Sequence, residues 1–405
     1  MPKLNKIVIV DYLRSPFSRS RPNKPEKDVF NNLYMTDVAA LLIKEMIKRK
    51  GINPEEINDV LTGCTMQQAE QMLLGGRVVP MLAELPMNVP AEGIDRVCCS
   101  GMSAMHKGAM EIELGFSDVC IAGGIEHMTH LPMQPEFNPH MGLSPTLMGE
   151  PYFDKYDMMT TMSMGLTAEK LFEEANKEGL NITKEDMDRW GVRAHNLAEK
   201  ALDEGYFKGE ILPIEVTLDD GSKKVIDEDQ SIRRGATYEE TSALPPAFKP
   251  DGVITAGNSS PLNAGAAYMI LMSEEKAKEY GFEPLARIVS LGWAGVDPSV
   301  MGKGPVPATE MALKYAGIKA DDIDYWEINE AFCIVALYAI KKLGLDPDKV
   351  NIKGGATAIG HPLAASGPRL IGTLARILKE KNATYGCATL CGGGGQGATT
   401  IIERL

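Results

Sequence analysis

The chain has 405 residues, and none of its apolar stretches approaches the ~20 residues that a membrane-spanning helix needs. Its opening segment, MPKLNKIVIVDYLRSPF, starts basic, but the apolar run IVIV is too short for the hydrophobic region of a secretory signal. Basic residues are in the minority. The 42 Lys and Arg against 55 Asp and Glu leave a formal net charge of −13, which disfavours a general nucleic-acid or anionic-membrane binder and leaves room only for a small local basic site. Cysteine is sparse too: seven are spread along a long chain, an odd set unlike a disulfide framework. The expectation is a cytoplasmic protein of a reducing compartment, with no membrane span and no nucleic-acid partner. At 44% hydrophobic residues, it can bury one or two substantial cores.

What is present is a repeat. GINPEEINDVL begins at Gly51 and GIKADDIDYWE at Gly317, 266 residues further on, with isoleucines and acidic residues in matching places. Ser100-Gly101 recurs as Ser366-Gly367 at the same offset. A helix-period apolar run follows each pair: Met102, Met105, Ala109 and Ile112 in one half, Leu370, Ile371, Leu374 and Ile377 in the other. A strand and glycines follow each run, as DVCIAGG (118–124) and ATLCGGGG (388–395). Short apolar runs such as KIVIV and ARIVSL suit buried strands that alternate with amphipathic helices such as 37–49. The spacing predicts two α/β halves related by duplication. Residues 125 to about 250, richer in Met, Pro and charge, read as an insertion carried by the first half.

Cys98 and Cys99 stand side by side before Ser100-Gly101. If that pair opens a helix, the unpaired N–H groups and positive dipole end favour a thiolate, which suits a covalent nucleophile. Adjacent residues at such a turn point in different directions, so at most one faces a site. A small buried hydrophobe is the competing reading. Cys98 corresponds to Ala364 in the second half, where IGHPLAASG places His361 three residues earlier, between Gly360 and Pro362 as in a loop. A nucleophile on one half and a base on the other suggest a site at their junction; a histidine that merely holds its loop is the alternative. Cys391 ends a predicted strand before four glycines, whose backbone N–H groups can approach a ligand closely. A core cysteine before a turn remains the other reading.

Taken in order, VCCSG, NEAF, GHPLAASG and CGGGGQG resemble the motifs of the thiolase family, over essentially the whole chain. The resemblance implies an α/β fold of duplicated halves in a layered αβαβα core with an inserted loop domain. The N-terminal half would comprise 1–124 and 251–280, the loop domain 125–250 and the C-terminal half 281–405. It also implies an acyltransferase that cleaves 3-ketoacyl-CoA with CoA, reversibly, to acetyl-CoA and a shortened acyl-CoA. CoA would be a co-substrate, with no tightly bound cofactor and no metal. The chain would form a homodimer or homotetramer, with room for a β-oxidation partner carrying hydratase and dehydrogenase activities.

By the same resemblance, Cys98 is the acyl-accepting nucleophile and His361 the base for it and for the incoming CoA thiol. Cys391 moves the proton at the acetyl carbon. Asn329 holds a water in one oxyanion hole, and Gly393 supplies a backbone donor of the other together with the Cys98 N–H. Arg233, in DQSIRRGAT, matches an arginine placed against the CoA nucleotide. Phe248, Ala256 and Ser260 match positions along the pantetheine, while Met164 and Phe332 match pocket-lining positions. Cys99 falls where the family usually has a small residue such as Gly, and no chemistry is assigned to it.

Three departures bear on substrate range. Ser163 stands where acetoacetyl-CoA-forming relatives carry His, the LND motif is Leu262-Asn263-Ala264, and GHPLG is GHPLA with Ala364. Ser163 favours a degradative 3-ketoacyl-CoA thiolase over an acetyl-CoA acetyltransferase, as does GGIEHMTHLPM (123–133), which resembles the thiolase subunit of bacterial β-oxidation complexes. A non-catalytic CoA or lipid binder of the same family is a further alternative, disfavoured because Cys98, Asn329, His361 and Cys391 are all present. None of these features sets acyl chain length. His127, His130 and His140 lie in a Pro-rich stretch without an i,i+4 pair, which disfavours a metal site. The methionines between 128 and 164 read equally well as an acyl-pocket lining and as gap-fillers. GGGGQG (392–397) formally matches a dinucleotide-binding fingerprint, but the eight residues after it leave no room for the rest of that fold.

Overall fold

The computed structural model describes residues 7–65, 67–71, 74–131 and 144–405. Twelve strands occur in chain order: β1 (Ile7–Arg14), β2 (Ser18–Arg19), β3 (Asp59–Gly63), β4 (Ala91–Ile94), β5 (Val119–His127), β6 (Ile214–Thr217), β7 (Lys223–Ile226), β8 (Asn263–Ser273), β9 (Ala286–Gly295), β10 (Tyr325–Ile328), β11 (Tyr385–Gly392) and β12 (Gln396–Glu403). β6 and β7 form a separate hairpin. The other ten make one sheet in the order β10-β11-β12-β9-β1-β8-β5-β3-β4, with β2 on β8.

Read outward from its centre, that order repeats. β1-β8-β5-β3 on one side mirrors β9-β12-β11-β10 on the other, with the first two pairings antiparallel and the third parallel in each half. The 266-residue offset carries the first residue of β3, Asp59, onto that of β10, Tyr325, and Val119 of β5 onto Tyr385 of β11. Gly51 and Gly317 end the helices Met35–Lys50 and Pro305–Ala316 in the left-handed conformation, at φ 65° and 74°, where a side chain would be strained. The duplication read from the sequence is therefore a duplication of topology.

Alternation along the strands divides the core into three layers. Val8 and Val10 face the helix Met35–Lys50, whereas Ile7 and Ile9 face a central layer built by the helices Ser100–Glu113 and Leu363–Lys381. On the other side, Leu390 faces the central helices while Cys387 and Cys391 face Pro305–Ala316 and Cys333–Leu343. The result is the expected αβαβα layering. Each fully buried Leu or Ile of the central layer stabilises the fold by about 2 kcal/mol.

Between β5 and β8 the chain forms the helices Met164–Lys177 and Lys184–Asp203 and the β6–β7 hairpin. β5 runs on to His127, three residues past the boundary at 124, because Glu126 and His127 still pair with Gly265 and Ala264 of β8. Among the described residues no helix is long and apolar enough to cross a membrane.

Candidate active site

Cys98 sits in a tight turn before the helix Ser100–Glu113. Val97 adopts φ 51°, a conformation costly for a β-branched residue, which turns the chain so that the Cys98 thiol enters a cavity. Hydrogen bonds hold the turn: the Val97 N–H donates to Asp95 Oδ1 at 2.7 Å, and the Arg96 N–H to Ser100 Oγ at 2.8 Å. The backbone N–H groups of Gly393 and of Cys98 itself favour the thiolate. Burial nevertheless pushes the thiol up to about 12; those two N–H groups oppose the shift, and the carboxylates of Glu126 and Asp95 add to it.

His361 approaches from the other half, on the loop before Leu363–Lys381. Its N–H donates to Asn263 Oδ1 at 2.8 Å, and Gly360, at φ 113°, leaves room for the Asn263 amide where a Cβ would stand. Nδ1 lies 2.6 Å from Ser366 Oγ, and Nε2 lies 3.3 Å from Asn329 Nδ2. The same Asn329 Nδ2 lies 3.5 Å from Nδ1, so the amide faces both ring nitrogens. Burial, and secondarily Arg369, lower the imidazole to about 3, so it is neutral.

Cys391 is buried near the end of β11, its thiol raised first by burial and then by the proximity of Cys98. Asn329 follows β10 with its N–H on Thr389 O at 2.9 Å, while its Oδ1 is buried without a partner among the described residues. A buried acceptor left open in this way suits a held water.

The sequence-selected residues divide between two cavities. Cys98, His361, Met164, Phe248, Ser260 and Phe332 line one of about 210 Å³. Gly393, Asn329 and Cys391 stand behind its wall: Gly393 reaches the Cys98 sulfur, Asn329 the imidazole, and Cys391 the field of Cys98. Arg233, Ala256 and Ser260 line a second cavity of about 90 Å³. Ser259, Ser260 and Pro261 belong to both, so the two adjoin along that wall. Phe248 packs edge-on to Phe332 and over Gly165, whose missing side chain makes space for the ring.

Several residues of the site escaped sequence reasoning. Met301 and Leu363 extend the apolar lining, and Ser366 holds the imidazole. Arg19 lines the second cavity with Arg233, and its pKa is lowered by burial and by repulsion from Arg21 and Arg233. Among the described residues none of these three guanidinium groups meets a carboxylate, in a chain of net charge −13. The stretch SRSRP was the available signal. His195 accepts the Arg233 N–H through Nδ1 at 3.1 Å and shapes the same cavity.

The other histidines are engaged structurally. His127 and His130 stack at 3.6 Å, His127 Nε2 bonds to Phe30 O, and His130 bonds to Glu70 and Asn31 O. No group of side chains among the described residues could hold a metal ion. His140 lies outside the described residues. Of the methionines between 128 and 164, Met128 and Met164 line the cavity, whereas Met148, Met159 and Met162 are exposed.

A thiol at the start of one central helix and an imidazole at the start of its duplicate define the class. Residues 7–275 match the family description "Thiolase, N-terminal domain", and residues 282–404 match "Thiolase, C-terminal domain". The chain belongs to the thiolase family. It is 42% identical over 404 residues to a 3-ketoacyl-CoA thiolase of Marinobacter nauticus, covering 98% of each chain, and 41% identical to one of Hahella chejuensis over the same share. Among solved structures, it resembles an acetyl-CoA acetyltransferase of Bacillus anthracis (TM-score 0.86, 36% identity, 100% of both chains). It also resembles human mitochondrial 3-ketoacyl-CoA thiolase in complex with CoA (TM-score 0.85, 33% identity, 100% of this chain and 99% of that one).

Proposed function

We propose that the protein is a 3-ketoacyl-CoA thiolase, an acyltransferase that cleaves its substrate reversibly through an acyl-enzyme on Cys98. The observation that carries this reading is the Cys98 thiol in one cavity with the neutral imidazole of His361.

His361 Nε2 takes the thiol proton as the sulfur attacks the 3-keto carbon. The bond between C2 and C3 breaks, its electrons pass to the acetyl-CoA carbanion, and the Cys391 S–H protonates C2. The acyl group is left as a thioester on Cys98, a leaving state that a second thiol accepts without large energetic loss. His361 hands the Cys98 proton on to the Cys391 thiolate; CoA then gives its thiol proton to His361 as its sulfur displaces Cys98, and the Cys98 thiolate takes that proton back. Negative charge developing on the acyl oxygen meets the N–H groups of Gly393 and Cys98, and the open Oδ1 of Asn329 suits the water of the other oxyanion hole. The protein's own residues handle every proton and electron pair here, so CoA acts as co-substrate and no tightly bound cofactor is proposed.

Arg233, Arg19 and Arg21 offer positive charge for the phosphates of CoA, and the wall formed by Ser259, Ser260 and Pro261 leads from that charge to Cys98. Met128, Met164, Met301, Phe332 and Leu363 give the acyl end an apolar, adaptable lining, and Ser163 is absent from it. These features favour substrates longer than four carbons. The second reading, an acetyl-CoA acetyltransferase, draws support from the similarity to the Bacillus anthracis structure.

A homo-oligomer is proposed as the assembled form: β4 is an edge strand of the sheet, and Met81 and Met87 beside it are exposed, the latter 95%. All seven cysteines are buried, and no disulfide joins them among the described residues, which suits the cytoplasm. The deciding experiment is steady-state thiolysis of acetoacetyl-CoA against a medium-chain 3-ketoacyl-CoA at equal CoA. A higher kcat/KM for the longer substrate supports the first reading; turnover of the four-carbon substrate alone supports the second; turnover of neither overturns both.

A further inference from the structure

Cys98 and Ala364 are equivalent positions 266 residues apart, each at the start of a central helix. At Cys98 the N–H of Gly393, just after β11, favours a charged sulfur. At Ala364 the N–H is taken by a carboxylate from the end of β5: Glu126 Oε2 accepts it at 3.4 Å. The residue of β11 equivalent to Glu126 is Gly392. The duplication is thus broken in a reciprocal way. One helix start is filled by a built-in acid, and its twin keeps its donors for the reacting sulfur.

Glu126 is 1% exposed, and no step of the proposed reaction uses it. Its Oε2 also accepts the Thr65 N–H at 3.1 Å, and Oε1 accepts from Gln71 Nε2 at 3.0 Å and from the Cys64 thiol at 3.8 Å. Among the described residues no Lys or Arg pairs with it, so its partners are neutral donors only. It ties together the loop after β3, the end of β5 and the start of the helix that follows His361. Around Cys98 stand Asp95 from its own turn, Cys99 beside it, Cys391 from β11, His361 from the opposite loop, and Glu126.

We propose that Glu126 is a positioning residue joining the two halves of the site: its side chain ties the loop after β3 and the end of β5 to the start of the His361-bearing helix, and so holds His361 toward Cys98. The kinetic consequence rests on the thiolase reading; the effect on thiol reactivity does not.

Two variants of the full chain separate the acceptor from its reach. Glu126→Gln keeps an acceptor for the Ala364 N–H, so kcat should stay within about twofold of wild type. Glu126→Asp keeps the carboxyl but falls one methylene short, so kcat should drop about tenfold at unchanged KM for CoA. Alkylation of Cys98 by iodoacetamide, read by peptide mass mapping, should slow in Glu126→Asp alone. Wild-type kcat and alkylation in Glu126→Asp overturn the positioning, whether or not Glu126→Gln folds. If the wild type turns over no 3-ketoacyl-CoA, the thiolase reading fails, but the alkylation comparison still decides the positioning.

Discussion

Gly101 and Gly367 meet where the two central helices cross. A Cβ on Gly101 would press into the carbonyl oxygen of Ala364, and one on Gly367 would lie 2.6 Å from the backbone nitrogen of Met102. Equivalent glycines thus bring the helix that follows Cys98 and the helix that follows His361 into backbone contact. Gly101→Ala should therefore separate the halves of the site as well as strain the core. A loss of about 1–3 kcal/mol in stability is expected, measured by denaturant unfolding, with kcat reduced beyond what the folded fraction explains. Wild-type kcat with lowered stability would show that the crossing serves the fold alone.

Cys98→Ala should leave the fold in place, because it trims a single thiol bordering a cavity. It should abolish thiolysis and condensation alike, by a factor of about 10⁴ or more, since no other group can carry the acyl chain. Acylation of the intact protein by 3-ketoacyl-CoA, followed by mass spectrometry, should place the group on Cys98 and never on the buried Cys99, whose thiol points to Leu390 O. Turnover surviving in Cys98→Ala would remove the nucleophile assignment.

The sequence made the architecture legible because the duplication leaves local marks: Gly51 with Gly317, and Ser100-Gly101 with Ser366-Gly367, each mark an element boundary that the chain repeats. Cys98, His361 and Cys391 were legible for a related reason, as each lies where a strand or loop meets a helix or glycine turn. Residues that reach the site across long sequence separations were not. Arg19 joins Arg233 only through the fold, and Met301 comes to the cavity from a 3₁₀ segment that nothing local marks. Asn263 shows the limit most clearly. In the sequence it was part of a motif lacking its acid; in the structure its Oδ1 holds the His361 N–H, and Ser18 O and Ser231 Oγ fix its amide nitrogen.

The three arginines predict a separable effect on CoA. Arg19→Gln and Arg233→Gln should each raise KM for CoA about tenfold, corresponding to roughly 1.4 kcal/mol for one charge-assisted phosphate contact, while kcat stays near wild type. Pantetheine, which lacks the nucleotide phosphates, should be used equally by variants and wild type. Equal losses with CoA and pantetheine would place these arginines in maintenance of the loop and not on the phosphates.

Buried neutral histidines predict how stability responds to acid. Burial, assisted by nearby arginines, lowers His361 and His106 to about 3 and His195 to about 4. In the unfolded chain each titrates near 6.5, so below that pH the unfolded state binds protons that the folded state refuses. Stability contributed by these groups is therefore intact above pH 6.5 and is lost as pH falls toward 4. The slope approaches about 1.4 kcal/mol per pH unit for each histidine. His130 works in the opposite sense, since Glu70 favours its charged form and its contribution fades as pH rises, so it subtracts from the slope. Urea unfolding at pH 7, 6 and 5 should show stability falling with pH, and His106→Asn should flatten the slope by one proton, because His106 hydrogen-bonds to Thr400 Oγ1, packs near Trp293 and lies outside the reacting cavity. A slope unchanged in that variant would mean that His106 is protonated in the folded protein.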